Sequence, residues 1–84
     1  MKVDVLLFAS LREDLGTDAL SVELADESTV TDLVSHLESV HGELWKLKLT
    51  AENIKIAINQ ELINGSPVIH SGDEVAFFPP VTGG

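Results

Sequence analysis

Residues 28–42 read STVTDLVSHLESVHG, and they hold a complete helix signal. Thr29 and Asp32 fit the Ser/Thr-x-x-Asp/Glu capping pattern, in which each side chain accepts from an otherwise unpaired backbone N–H. Val30, Leu33, Val34, Leu37 and Val40 follow at i, i+3, i+4, i+7 and i+10, one apolar stripe on a 3.6-residue period. His41 falls in the last turn and Gly42 suits the residue just past it, so the spacing predicts a helix over 29–41. One amphipathic helix covers one face of a sheet. The rest of the chain must then supply that sheet.

Upstream, residues 2–9 read as a strand in which Val3, Val5 and Leu7 alternate with Lys2 and Asp4. Leu6 and Phe8 are apolar too and fall on the opposite face. Residues 10–18 read as a connection turning at Gly16, and the next strand puts Leu20, Val22 and Leu24 inward with Ser21 and Glu23 outward. The short link predicts an antiparallel hairpin. Downstream, Leu44, Trp45, Leu47 and Leu49 suggest a short second helical piece with its apolar side on the core. Ile54, Ile56 and Ile58 alternate with Lys55 and Ala57 as a third strand, and Asn59-Gln60 turns into a short stretch at Glu61–Ile63. After turns at Asn64-Gly65 and His70–Asp73, EVAFF (Glu74–Phe78) is the last strand. Pro79-Pro80 ends it, since neither residue donates a ladder hydrogen bond. The order β-β-α-β-β-β with one main helix predicts an α+β protein: a ubiquitin-like β-grasp with a mixed sheet of about five strands. The expected division is a β-grasp domain over 1–78 and an extended C-terminal tail over 79–84.

The chain has 84 residues, enough for one domain, and burial of roughly 60–65% of the unfolded surface leaves little room for a deep active-site cleft. Fourteen Asp and Glu against five Lys and Arg give a net charge of −9. Such a chain repels phosphate backbones and anionic lipid, so nucleic acid and membrane are not expected partners, whereas basic protein surfaces are. Acidity also serves solubility in a small apolar protein, and the charge balance alone does not separate these uses. No apolar run approaches the ~18 residues of a membrane span, and Met1 leads directly into an alternating strand. A soluble, cytoplasmic protein is expected. With no cysteine, disulfides, thiolate nucleophiles and Cys-ligated zinc are excluded. His36 and His41 are five apart, off a common helical face, and His70 lies in a turn, so no metal site is expected. The carboxylates are scattered over surface positions, without the pocket that paired acid–base chemistry needs.

Two features remain. Val81-Thr82-Gly83-Gly84 is either a frayed terminus or a slim tip that threads a narrow channel, because glycine has no Cβ. Pro79-Pro80 stiffens its base, and six extended residues reach about 20 Å. The second feature is a surface patch. If the first and last strands are neighbours, Phe8 and Phe78 share the face opposite the helix and Leu62 joins them as a docking surface; a register one residue off would instead bury them.

The ending GDEVAFFPPVTGG (Gly72–Gly84), with Asn59-Gln60 upstream and the opening VLLFASLRE (Val5–Glu13), closely resembles the sulfur-carrier subunits of molybdopterin synthases. The match in length and element order spans the whole chain, and FFPPVTGG is its specific part. The resemblance implies that the terminal carboxylate, here on Gly84, is the reactive group. An activating enzyme consumes ATP to adenylate it, a sulfur donor protein converts the acyl-adenylate to a thiocarboxylate, and no cofactor is permanently bound. The tail Pro79, Pro80, Val81, Thr82 and Gly83 then enters the active site of the synthase large subunit. There, two thiocarboxylates supply the dithiolene sulfurs as cyclic pyranopterin monophosphate becomes molybdopterin. The resemblance further implies a heterotetramer, large-subunit contacts through Phe8, Leu62 and Phe78, and Arg12 near the tail or interface. Catalytic side chains would belong to the large subunit, so the chain alone is no enzyme. A ubiquitin-like modifier, or a carrier for tRNA thiolation, would use the same carboxylate. A plain interaction domain would leave it inert.

Overall fold

The computed structural model describes residues 1–80. The elements are β1 (Lys2–Leu7), α1 (Ala9–Leu15), β2 (Ala19–Glu23), α2 (Val30–His41), α3 (Glu43–Leu49), β3 (Lys55–Ile58), β4 (Glu61–Leu62) and β5 (Glu74–Phe78). The five strands form one sheet in the order β2-β1-β5-β3-β4. β1 and β5 run parallel at its centre, and the other pairings are antiparallel. This is the β-grasp arrangement that the sequence predicts.

Strand parity decides what each face does. Val3, Val5 and Leu7 of β1 and Val75 and Phe77 of β5 point to one side and are essentially inaccessible to water. The α2 stripe of Val30, Leu33, Val34 and Leu37 closes over them, joined by Trp45, Leu49, Leu11 and Ile69. Each fully buried Leu or Phe of this layer contributes roughly 1.5–3 kcal/mol. The capping box forms as its spacing requires: Thr29 Oγ1 accepts from Asp32 N at 3.3 Å, and Asp32 Oδ2 accepts from Thr29 N at 2.9 Å. Gly42, at φ 107, lets the chain leave α2 and start α3 directly, a conformation that L side chains rarely adopt. Asn59 and Gln60 both have positive φ, 50 and 71, giving a two-residue turn of the mirror-image kind that suits the strand twist between β3 and β4.

Several expectations need correction. β1 stops at Leu7, and the expected connection over 10–18 holds α1, which buries Leu11 between the helices and the sheet. Phe8 is therefore the residue before a helix rather than a strand position. Val40 is 61% exposed: at 100° per residue it lies about 80° round from Val30, at the edge of the stripe and in the last turn. In α3 only Trp45 and Leu49, four apart, face the core, leaving Leu44 and Leu47 exposed. His41 stacks on Trp45 with ring centroids 4.2 Å apart.

Candidate functional site: the open face of the sheet

The face turned away from α2 can be built from the strand registers. Leu6 pairs with Ala19 on one side and Ala76 on the other, Ala76 pairs with Ala57, and Ala57 pairs with Leu62. Five apolar residues thus cross all five strands in one row: Ala19, Leu6, Ala76, Ala57 and Leu62. Ala57 and Ala76 are 7% exposed, floored between larger neighbours, while Leu62 at the sheet edge is 70% exposed. Among the described residues no helix covers the row. Phe78 stands beside it on the same face, paired with Lys55.

Phe8 reaches this region by another route. Its N–H donates to Phe77 O at 3.2 Å, which continues the β1–β5 pairing by one residue before the chain turns into α1. The ring is 46% exposed. Arg12 lies one helical turn later, exposed in the last turn of α1, and makes no ion pair among the described residues. Phe8, Leu62 and Phe78 are thus all at least partly open to solvent, Leu62 and Phe78 on the sheet face itself. The sequence reading missed Ala19, Ala57 and Ala76, whose small side chains carry no docking signal until the register aligns them.

Pro79 and Pro80 follow Phe78 directly, half-buried and exposed respectively. Val81, Thr82, Gly83 and Gly84, the expected tip and reactive group, lie outside the described residues. A depression of about 610 Å³, lined by Met1, Asp26, Glu27, Val68, His70 and Ser71 among others, is at the opposite end of β1 from Phe77. Among the described residues no cluster of three or more His, Asp or Glu is placed to hold a metal, and no helix is long and apolar enough to cross a membrane.

A five-stranded mixed sheet with an open apolar face, closed on the other by one long helix, defines a ubiquitin-like β-grasp protein. The ThiS family model matches residues 5–84, and the chain belongs to that family. It is 45% identical over 82 residues to the molybdopterin synthase sulfur carrier subunit of Escherichia coli (strain K12), covering 98% of this chain and 99% of that one. Among solved structures it resembles SAMP1 of Haloferax volcanii, with a TM-score of 0.82, 28% identity and full coverage of both chains. It also resembles a chain in the complex of subunits 1 and 2 of the molybdopterin-converting factor from Helicobacter pylori, with a TM-score of 0.67, 26% identity and full coverage of both.

Proposed function

We propose that this protein is the sulfur-carrier subunit of a molybdopterin synthase, docking on the large subunit through the open sheet face. The observation that carries the reading is the uncovered apolar row beside Phe78, on the strand from which the C-terminal segment departs. Apolar surface left bare next to an Arg and two Phe is the composition of a protein contact. Docking there brings residues 79–84 against the partner, and Gly84 carries the reacting carboxylate.

A carboxylate is a poor electrophile. Attack by its oxygen on the α-phosphorus of ATP, on an activating enzyme, releases pyrophosphate and leaves an acyl-adenylate. Sulfide-level sulfur, delivered as hydrosulfide by a donor protein, then attacks the acyl carbon and displaces AMP with loss of its proton, and the chain holds sulfur as a terminal thiocarboxylate without any cysteine. Pro79, Pro80, Val81, Thr82 and Gly83 thread the large-subunit active site, and sulfur passes to cyclic pyranopterin monophosphate as its dithiolene forms. The catalytic side chains sit on the large subunit, so this chain turns nothing over alone. It binds no cofactor permanently, and it works in the cytoplasm as part of a heterotetramer. Support comes from the relatives that bear this function in their names and from the complex of the two factor subunits.

The likeness to an archaeal modifier favours one alternative, attachment of Gly84 to lysines of other proteins. A native-lysate experiment separates the two. An untagged chain is captured on a tagged large subunit and its intact mass is read. Sulfur replacing one terminal oxygen on the captured chain supports the carrier; lysine conjugates lost on deleting Gly84, with no bound large subunit, overturn it.

A further inference from the structure

The open face carries charge at both ends, of opposite sign. Away from the C-terminal segment, Asp4 is paired with Glu74 on β5 and with Ser21 on β2, and Ser21 Oγ donates to Asp4 Oδ1 at 2.8 Å. One row further out, Lys2 faces Glu23. Glu23 is offset there by Lys2 and by the Met1 ammonium, 3.8 Å from its Oε2, which leaves Asp4 and Glu74 as the excess negative charge at that end. A shallow depression of about 280 Å³ opens between Asp4, Leu6, Ala19, Ser21 and Glu74, with room for a long side chain. The middle row, from Ala19 to Leu62, is uncharged. Beyond it Lys55 is paired with Phe78, and Arg12 follows Phe8 by one helical turn. Neither cation makes an ion pair among the described residues, nor does Asp4 or Glu74.

The apolar row does not by itself say which way round a partner sits. Leu6 and Leu62 flank the small Ala76 and Ala57, so the row looks similar after a half-turn, and apolar contact is non-directional. A half-turn would nevertheless reverse the direction in which β5 points and carry residues 79–84 away from the partner's active site. The charges break this ambiguity. From Glu74 to Phe78 is four residues of strand, about 13 Å, longer than the ~8 Å screening length at physiological salt. The two ends therefore act on a partner separately rather than cancelling.

We propose that the large subunit reads this face in a single rotational register, setting a cation against Asp4 and Glu74 and an anion against Lys55. The inference rests on the docking proposed above. Docking turned by half a revolution would place like charges together at both ends, which is how interfaces exclude wrong orientations. The overall charge of −9 could not do this, since it attracts a basic partner in any orientation.

The test measures association rate and affinity for the purified large subunit at low and physiological salt. Three variants are compared with wild type: D4N/E74Q, K55E, and the control E43Q/E52Q, which removes the same amount of charge from α3 and the loop after it. Asp4→Asn keeps an acceptor for Ser21, and melting curves check that every variant is folded. D4N/E74Q and K55E are each expected to weaken binding about tenfold, the control less than about twofold. The comparison is sharp because K55E makes the chain more acidic and D4N/E74Q less. An effect of net charge alone would move them in opposite directions. Tighter binding by K55E, or D4N/E74Q matching the control, overturns the inference and leaves the docking intact. A wild-type chain that fails to bind the large subunit overturns the docking itself.

Discussion

Asn59 and Asp73 fasten the β3–β4 turn to the loop before β5: Asn59 Nδ2 donates to Asp73 Oδ1 at 2.9 Å, and Asn59 Oδ1 accepts from Glu74 N at 3.0 Å. Asp73 Oδ2 also accepts from His70 N at 2.8 Å. The His70 N–H is the main reason the Asp73 carboxyl is held below the usual aspartate range; burial opposes it, and the Asn59 amide and the His70 ring add to it. A folded value below the unfolded one means that the unfolded chain takes up the proton first. The stabilisation is therefore complete above about pH 4 and is lost as pH falls through the folded value. Urea unfolding between pH 7 and pH 2 should show that loss, and Asp73→Asn should be less stable at pH 7 with a smaller drop on acidification. An equal drop in both would place the acid sensitivity elsewhere.

Leu62 and Phe78 separate docking from folding. Leu62 is 70% exposed, so Leu62→Ala should change stability by less than about 0.5 kcal/mol. Under the proposed docking the same substitution weakens large-subunit binding by about 1 kcal/mol. Phe78→Ala, which removes a half-buried ring beside the row, should weaken it by about 2 kcal/mol. Titration calorimetry with the large subunit, set against thermal melts of the free chain, measures both quantities. Unchanged affinity in the two variants would move the contact off the sheet face.

The capping box makes a third prediction, on stability alone. Thr29→Ala removes the acceptor for Asp32 N and should cost about 1 kcal/mol in denaturant unfolding. Asp32→Ala removes the reciprocal bond to Thr29 N. Because the two bonds form one unit, the double variant should lose less than the sum of the single losses. Strict additivity would show that each side chain acts alone.

Helix α2 was legible in sequence because its cap, its 3.6-residue stripe and its closing glycine agree, and three independent local signals fix one element. The central strands were legible because β1 alternates and β5 ends at two prolines. What was not legible depends on tertiary contact. Helix α1 offers only Leu11 and Leu15 as large apolar positions and has no side-chain cap, so burial of Leu11 has to stabilise it. In α3, Trp45, Leu47 and Leu49 alternate like a strand, and the helix sends Leu47 away from the face that Trp45 and Leu49 share. Leu62 and Phe78 on the open face, and Phe8 before α1, were readable as large apolar residues in turns and strand ends. The row that runs through Leu6 and Leu62 was not, because its other three members, Ala19, Ala76 and Ala57, are alanines whose alignment exists only in the register.

Ala9 sits at the junction between the sheet face and α1, with φ 53 in the left-handed region. A Cβ there is disfavoured by roughly 1–2 kcal/mol, and glycine removes that penalty. Within an ordinary helix, Ala→Gly costs about 0.5–1 kcal/mol; at Ala9 the sign should reverse, with Ala9→Gly neutral or stabilising by up to about 1 kcal/mol. The φ-branch matters for Phe8 as well, since the chain must bend at Ala9 to hold Phe8 N on Phe77 O while Leu11 N reaches Phe8 O at 3.1 Å. Ala9→Val puts a β-branched side chain into the same backbone conformation and should destabilise, loosening the base on which Phe8 stands. Large-subunit affinity should therefore be kept in Ala9→Gly and fall in Ala9→Val. Urea unfolding and calorimetry on the pair would show it, and a destabilised Ala9→Gly would mean that the strain at this turn is not where the backbone places it.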